Sequence, residues 1–150
     1  MEKLKNIIAY FCTNYPYQKE LSKARLVKML YLADWKNSIE NGRQLTDTKW
    51  IFNQYGPYVN DIIDYLKSDK RFEIINEINS YGAPKQLISL KNDFLINLNP
   101  EEIKILDFVI NATLPLNYSE FIDLVYSTYP IKVYSRMFEL NIVALAQHYK

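Results

Sequence analysis

The segment between Ser22 and Gly42 restricts the fold of this chain more than any other feature of the sequence. Ser22 is a typical N-cap and Gly42 a typical C′ residue, so together they predict one helix over residues 22–41. The apolar residues of this helix lie almost all the way round it: Leu26, Val27, Met29, Leu30, Leu32, Ala33, Trp35 and Ile39. Because the polar face is so narrow, the helix is predicted to be either central to the fold or part of an interface.

Capping residues predict three helices in the last third of the chain. Asn99 supplies an N-cap and Pro100 a first helical residue, so one helix is predicted to begin at Pro100. Asn117 has the same capping function before a second helix, which Pro130 is expected to end. Asn141 is predicted to cap a terminal helix.

The first half of the chain mixes helical and strand patterns. An apolar stripe predicts a helix over residues 2–14, and Pro16 ends it. Residues 48–55 are rich in aromatic and β-branched residues, which predicts a strand with Trp50 and Phe52 on one side. The segment 56–57 is expected to end this strand and to begin a helix over residues 58–69.

A hairpin completes the predicted elements. Residues 72–78 and 86–91 read as strands, and the turn-rich segment NSYGAP lies between them. With the strand before it, the hairpin predicts a small antiparallel sheet of about three strands in the middle of the chain. The sequence therefore predicts a single α+β domain over residues 1–150 that is predominantly α-helical.

The composition argues against catalysis and against a bound cofactor. The chain has 150 residues, one cysteine (Cys12), one histidine (His148) and three glycines that lie far apart. A phosphate-binding loop needs clustered glycines, and a zinc site needs more His and Cys ligands than these. A nucleophilic pair of Cys12 and His148 is disfavoured because Cys12 lies in an apolar run typical of a buried side chain. We therefore predict a protein that is not an enzyme, with no cofactor and no metal.

The sequence also predicts where the protein works. The N-terminal residues lack the apolar region and cleavage site of a signal peptide, and no apolar run is long enough to span a membrane. A single cysteine cannot form an internal disulfide, which is typical of a reducing compartment. The prediction is a cytoplasmic protein with no membrane partner.

Two neighbouring segments carry a resemblance to a known family. They are LSKARLVKMLYLADW and NGRQLTDTKWIFNQYGP, and the matching residues are Lys23, Leu26, Lys28, Leu30, Tyr31, Ala33, Asp34, Gly42, Leu45, Tyr55, Gly56 and Pro57. This pattern resembles the Panacea antitoxin domain, the SocA-like family of bacterial and phage proteins. A second segment, YSTYP at residues 126–130, lies where many members have Thr-His, and this chain has Thr128 followed by Tyr129. The likeness at that position is therefore partial.

The resemblance implies an antitoxin of a bacterial or phage toxin–antitoxin system. Such a protein silences a toxin encoded nearby by binding it directly, and some relatives are thought to deliver their toxin to a protease. The family pairs one scaffold with many unrelated toxins and also occurs in phage defence, so the resemblance does not identify the partner. We expect the central helix, the strand and the Tyr-Gly-Pro turn to form or support the toxin-binding surface, through Lys28, Tyr31, Asp34, Trp35, Arg43, Trp50, Tyr55, Gly56, Pro57 and Tyr58.

Several of these residues have a structural interpretation as an alternative to the functional one. Trp35 and Trp50 are more often core residues than contact residues when they lie at helical or strand spacing. The Tyr-Gly-Pro segment can be a structural turn, although Tyr55 and Tyr58 beside it would be able to offer hydroxyls to a partner. Asp34 lies in an apolar part of the helix, so it needs a hydrogen-bond partner within the fold or a basic group on the toxin.

The basic start of the same helix leaves two alternatives. Lys23, Arg25 and Lys28 are most often a solvated face, and the alternative is a patch that contacts an acidic toxin or DNA. The second hypothesis for the whole chain is a small winged-helix-like regulator that binds nucleic acid. Against it, the net charge is only +1 and the wing segment NSYGAPK has only Lys85 as a cation. The sequence therefore disfavours nucleic acid as a partner.

Overall fold

The computed structural model describes residues 2–53, 56–58, 62–91, 93–133 and 140–149, with residues 53 and 56–58 described by their backbone alone. Within these ranges the elements are α1 (Glu2–Asn14), a short 3-10 helix (Gln18–Glu20), α2 (Lys23–Asn41), β1 (Ile51–Asn53), β2 (Gly56–Tyr58), α3 (Ile62–Lys67), β3 (Phe72–Ile78), β4 (Pro84–Leu90), α4 (Pro100–Thr113), α5 (Tyr118–Tyr126), α6 (Tyr129–Val133) and α7 (Ile142–Tyr149). The predicted fold class, α+β and predominantly helical, is confirmed.

Helix α2 lies at the centre of the fold. The Ser22 hydroxyl accepts a hydrogen bond from the backbone N–H of Arg25 at 3.2 Å, and Gly42 ends the helix in the left-handed region at a φ of 73°. Both predicted ends of this helix are therefore confirmed. Every residue from 25 to 35 is buried, and α2 packs against α1, α4, α7, β2 and β4. A helix with so little polar surface can be covered on all sides only at the centre of a domain.

The strands form two separate antiparallel pairs, so the prediction of one sheet of about three strands is wrong in its arrangement. Strand β3 pairs with β4 in a hairpin, as predicted, and β1 pairs with β2. The chain just before α2 occupies the second edge of β4, since Ile88 donates its N–H to the Leu21 carbonyl at 3.2 Å and Ser22 bridges Leu87. This segment occupies the edge at which a third strand would pair with β4.

The Tyr-Gly-Pro segment differs most from its prediction. Gly56 and Pro57 neither end a strand nor begin a helix, because they lie in β2, where Gly56 is opposite Asn53. Tyr58 belongs to the same strand and not to a helix, and the next helix that the structure describes is Ile62–Lys67. Residues 59–61 of the predicted helix lie outside the described residues. A proline is tolerated here because a strand in a two-stranded pair needs ladder donors on one side only. Tyr55 lies outside the described residues.

The caps of the last helices confirm their predicted starts. Asn99 and Asn117 each form a capping box with the glutamate three residues later, and Asn141 accepts the N–H of Ala144 at 3.1 Å. The prediction that Pro130 ends a helix is wrong. α5 ends at Tyr126, and Pro130 lies in the first turn of α6, where a backbone N–H is not needed.

One continuous hydrophobic core joins these elements. It includes apolar side chains of α1 to α7, of β1 and of the hairpin, and Trp50 and Phe52 both lie in it, as their predicted alternation requires. The backbone N–H of Leu140 donates to the Trp50 carbonyl at 2.7 Å, which fastens the end of the chain to the segment before β1. Among the described residues no helix is long and apolar enough to cross a bilayer.

Candidate functional site

The carboxylate of Asp34 is the centre of a buried hydrogen-bond network that joins α2 to the loop before β1. Its Oδ1 accepts the backbone N–H groups of Leu45 at 2.9 Å and of Thr46 at 3.0 Å. Its Oδ2 accepts the Thr46 hydroxyl at 2.6 Å, the Trp50 indole N–H at 2.9 Å and the Gln44 amide at 3.3 Å. Asp34 has no exposed surface. Asp34 therefore has its hydrogen-bond partners within the fold, in the loop before β1.

The network also determines how Asp34 titrates. Burial raises the pKa of Asp34 to about 6, and the donors on Thr46, Trp50 and Leu45 act against this rise because they favour the charged form. All five groups around Asp34, from four residues, are donors, so an ionised carboxylate, which only accepts, satisfies each of them. At neutral pH Asp34 is therefore a buried anion that neutral hydrogen-bond donors hold in place.

Tyr31 forms a second link, from α2 to the turn between α5 and α6. Its hydroxyl lies 2.7 Å from Thr128 Oγ1, and the Thr128 hydroxyl donates to the Val125 carbonyl at 2.7 Å, so Tyr31 is the donor of the shared bond. Its ring also meets the edge of Trp50 at a centroid distance of 5.6 Å. Two positions of the family pattern, Tyr31 and Thr128, thus contact each other in the interior. Burial raises the pKa of Tyr31 well above its ordinary value.

The basic start of α2 is not the solvated face that the sequence suggested. Arg25 is 2% exposed and Lys28 is 6% exposed, while Lys23 is half-buried. Burial lowers the pKa of Lys28. The sequence indicated an exposed face because these residues lie in the first two turns of the helix. The packing of the hairpin and of α5 near that end could not be read from local spacing.

The remaining predicted site residues lie in different environments. Trp35 is buried, with its ring 5.5 Å from that of Tyr149, and Arg43 is exposed. Gly56–Tyr58 are described by their backbone in β2 only. Of the predicted site residues whose side chains the structure describes, Arg43 alone faces solvent. Lys28, Tyr31, Asp34, Trp35 and Trp50 are buried, so they support the fold rather than offer a surface.

Exposed aromatic rings lie outside the family pattern, and the sequence did not predict their exposure, since its apolar pattern places Phe108 on the apolar face of its helix. Tyr81 is 94% exposed in the hairpin turn, and Phe108 is 50% exposed on α4. Phe108 lies beside a cavity of about 360 Å³ that Trp35 and Tyr149 also line. The buried residues of α4 lie on one stripe of the helix, and Phe108 lies outside it. They are Ile105, Leu106, Val109, Ile110 and Thr113.

The structure offers no assembled catalytic or metal centre in the residues it describes. Cys12 is buried against the Ile88 carbonyl at 3.7 Å, and burial raises its thiol pKa to about 12. His148 is exposed on α7. The two residues therefore do not form a nucleophilic pair, and Cys12 is the small buried side chain that the sequence predicted. No group of three or more His, Cys, Asp or Glu side chains within the described ranges is close enough to hold a metal ion.

Comparison with known proteins identifies the family. Residues 26–130, more than half of the chain, match the family model described as Antitoxin SocA-like, Panacea domain. The chain belongs to this family. The matched range begins inside α2 and ends in α6, so it includes the Asp34 network, the Tyr31–Thr128 contact and both strand pairs. No curated protein and no solved structure matches the chain.

Proposed function

We propose that this SocA-like protein is an antitoxin that neutralises a protein toxin encoded nearby by binding it directly. The observation that carries the proposal is the family match over residues 26–130. The absence of an assembled catalytic group among the described residues is compatible with a binding protein but does not by itself favour one. The proposed partner is therefore a protein, and the proposed compartment is the bacterial cytoplasm.

The division between buried and exposed aromatic rings supports this proposal. Tyr31 and Trp50 brace α2 against its surroundings through hydrogen bonds and an edge-to-face ring contact. Tyr81 and Phe108 are exposed on elements that pack on this core. Tyrosine and phenylalanine are enriched at the centres of protein interfaces, where a rigid support lowers the entropic cost of binding. We infer a rigid interior with contact residues placed around it.

Two routes from binding to neutralisation are proposed. In the first, the antitoxin covers the active surface of the toxin. In the second, the bound toxin is delivered to a protease, which is then a further partner. The two routes predict different toxin levels, because a covered toxin persists in the cell and a delivered toxin is degraded.

The test is co-expression with the product of the adjacent gene. We expect the neighbour to arrest growth alone, to be tolerated with this protein, and to co-purify with it. Arg43→Glu is the first variant to test, because Arg43 is the exposed member of the predicted site and its change leaves the core intact. A toxin level that falls only when the antitoxin is present would select the protease route.

A different result would favour the regulator that the sequence left as an alternative. If the neighbour is harmless and nothing co-purifies, the antitoxin proposal fails. Binding of promoter DNA that weakens steeply with salt would then indicate a nucleic-acid regulator, since phosphate contacts release counterions.

A further inference from the structure

A groove of about 700 Å³ lies between the first turn of α2 and the β3–β4 hairpin. Lys23 and Arg25 line it from the helix, Lys85 and Tyr81 from the hairpin, and Tyr118 from α5. Its volume is in the range of ligand-binding clefts. None of the predicted site residues whose side chains the structure describes lines this groove, so it is separate from the Asp34 network.

Arg25 is the most informative residue of the groove. It is 2% exposed, its guanidinium donates to the Tyr15 hydroxyl at 2.9 Å, and it lies 4.4 Å from the centre of the Phe121 ring. In the part of the chain that the structure describes, no carboxylate is within ion-pair distance of it. Burying a cation without a counter-charge costs free energy that a ring contact and one neutral hydrogen bond offset only in part. An anion bound in the groove would remove this cost.

Cations outnumber carboxylates among the described residues that line the groove. Its lining contains three cations, Lys23, Arg25 and Lys85, and one carboxylate, Glu20. The net charge of the whole chain is only +1, so the groove concentrates positive charge that the rest of the surface balances. The first turn of α2 adds partial positive charge from its backbone N–H groups.

The rim of the groove has an exposed ring on a turn whose backbone is held by hydrogen bonds. The Asn79 side chain accepts the backbone N–H groups of Tyr81 and Ala83, both at 2.9 Å, and Gly82 takes a φ of 81° in the same turn. These bonds order the turn that carries Tyr81, which is 94% exposed. A ring on an ordered turn beside a charged cleft is suited to be an interface anchor, because the backbone of the turn loses little entropy on binding.

We propose that this groove binds an acidic peptide segment of the partner protein, with its carboxylates on Lys23, Arg25 and Lys85 and its backbone against Tyr81. The proposal rests on the proposed function, since it names the surface that receives the partner. A peptide fits better than nucleic acid because the lining also contains the amides of Asn76, Asn79 and Gln86 and only a small excess of cations.

The first test uses a defined probe. A short fluorescein-labelled peptide that alternates glutamate and serine would be titrated with the full chain, beside a glutamine version and a labelled DNA duplex. We expect saturable binding of the acidic peptide that weakens with salt, and much weaker binding of the other two probes. Binding of the duplex as tight as that of the peptide, or no saturable peptide binding, would overturn the proposal.

Charge reversal then assigns the binding to the groove. Lys23→Glu with Lys85→Glu should weaken peptide binding at least about tenfold. Lys104→Glu with Lys132→Glu, at two exposed positions outside the groove, makes the same change in net charge and should leave binding within about twofold of wild type. Equal losses in the two double variants would show a general charge effect and would contradict a groove site.

Arg25 provides a second, independent variant. Arg25→Met with Tyr15→Phe replaces both partners of a buried hydrogen bond by apolar groups, a change that is often neutral for stability. We expect a folded protein, by circular dichroism and thermal melting, that binds the peptide at least about tenfold more weakly. A folded double variant with wild-type affinity would limit Arg25 to a structural role and count against the site.

The same variants separate this proposal from the proposed function. If Lys23→Glu with Lys85→Glu still neutralises and co-purifies with the neighbouring gene product, the groove proposal fails and the antitoxin proposal stands. If the wild-type chain does not neutralise the neighbour but binds the acidic peptide through the groove, the antitoxin proposal fails and the groove is a peptide site of another pathway.

Discussion

Two aromatic residues of the predicted site and the aromatic residue of the hairpin turn lie in opposite environments. Tyr31 and Trp50 are fully buried, and each makes a hydrogen bond and a ring contact inside the fold. Tyr81 lies almost wholly in solvent. Side chains of the same chemistry therefore lie in two environments in this protein, the core and the surface.

This difference indicates which part of the protein the family pattern describes. Asp34, Tyr31 and Trp50 fix the position of α2, the loop before β1 and the α5–α6 turn relative to one another. Asp34 and Tyr31 belong to the family pattern, so this part of the pattern specifies a scaffold. In our proposal the partner is bound by the groove, whose lining includes residues such as Tyr81 and Lys85 that the pattern does not include. One scaffold can then be compatible with different partners.

The largest expected effect is from Tyr31→Ala. The change leaves a cavity in a fully buried site and removes the donor to Thr128, so we expect a loss of about 3–5 kcal/mol in the free energy of unfolding. Urea denaturation measures it. Tyr17→Ala is the matched control, because Tyr17 is 52% exposed and should cost about 1 kcal/mol or less. Similar losses of unfolding free energy in both variants would contradict the distinction between core and surface rings.

Asp34→Ala should cost somewhat less, about 2–4 kcal/mol, because it leaves the N–H groups of Leu45, Thr46 and Trp50 without their acceptor. Asp47→Ala is the control, since Asp47 lies in the same loop and is exposed. Amide hydrogen exchange would locate the effect, with faster exchange expected at Leu45 and Thr46. A variant as stable as wild type would show that the loop is held by other contacts.

The sequence could predict the elements whose signals are local. Ser22 and Gly42 mark the two ends of α2, and Asn99 and Asn117 cap their helices through residues three positions away. Pro57 was misassigned because a proline after a strand pattern normally marks a turn or a helix start, and only the pairing of Gly56 with Asn53 reveals a second strand.

The candidate site was less predictable, because it depends on contacts between distant elements. The sequence showed that Asp34 needs a partner, yet its donors come from a loop without periodicity. Arg25 is buried by Tyr15 and Phe121, from segments on either side of α2 in the chain, so its burial had no local signal. The groove beside it was missed for the same reason.

A pH titration sharpens the description of the buried region without changing a residue. Burial raises the pKa of Asp34 in the folded state to about 6, above the ordinary value of 3.8. The contribution of Asp34 to the free energy of unfolding is therefore largest below pH 3.8 and is lost as the pH rises through about 6. The Trp50 indole N–H, which donates to Asp34, should shift in NMR spectra with a midpoint near that pH. The Trp35 indole is an internal control. A Trp50 signal that is constant from pH 4 to pH 8 would contradict the raised pKa.

The smallest expected change in stability is from Tyr81→Ala, and it tests the surface half of the comparison. Because the Tyr81 ring is 94% exposed, its removal should change the free energy of unfolding by less than about 0.5 kcal/mol. It should nevertheless weaken binding of the acidic peptide, since the ring lies at the rim of the groove. Tyr81→Phe, which keeps the ring, should bind nearly as wild type does. If Tyr81→Ala leaves both stability and binding unchanged, the ring is not an anchor, and exposure alone does not identify the contact surface of this protein.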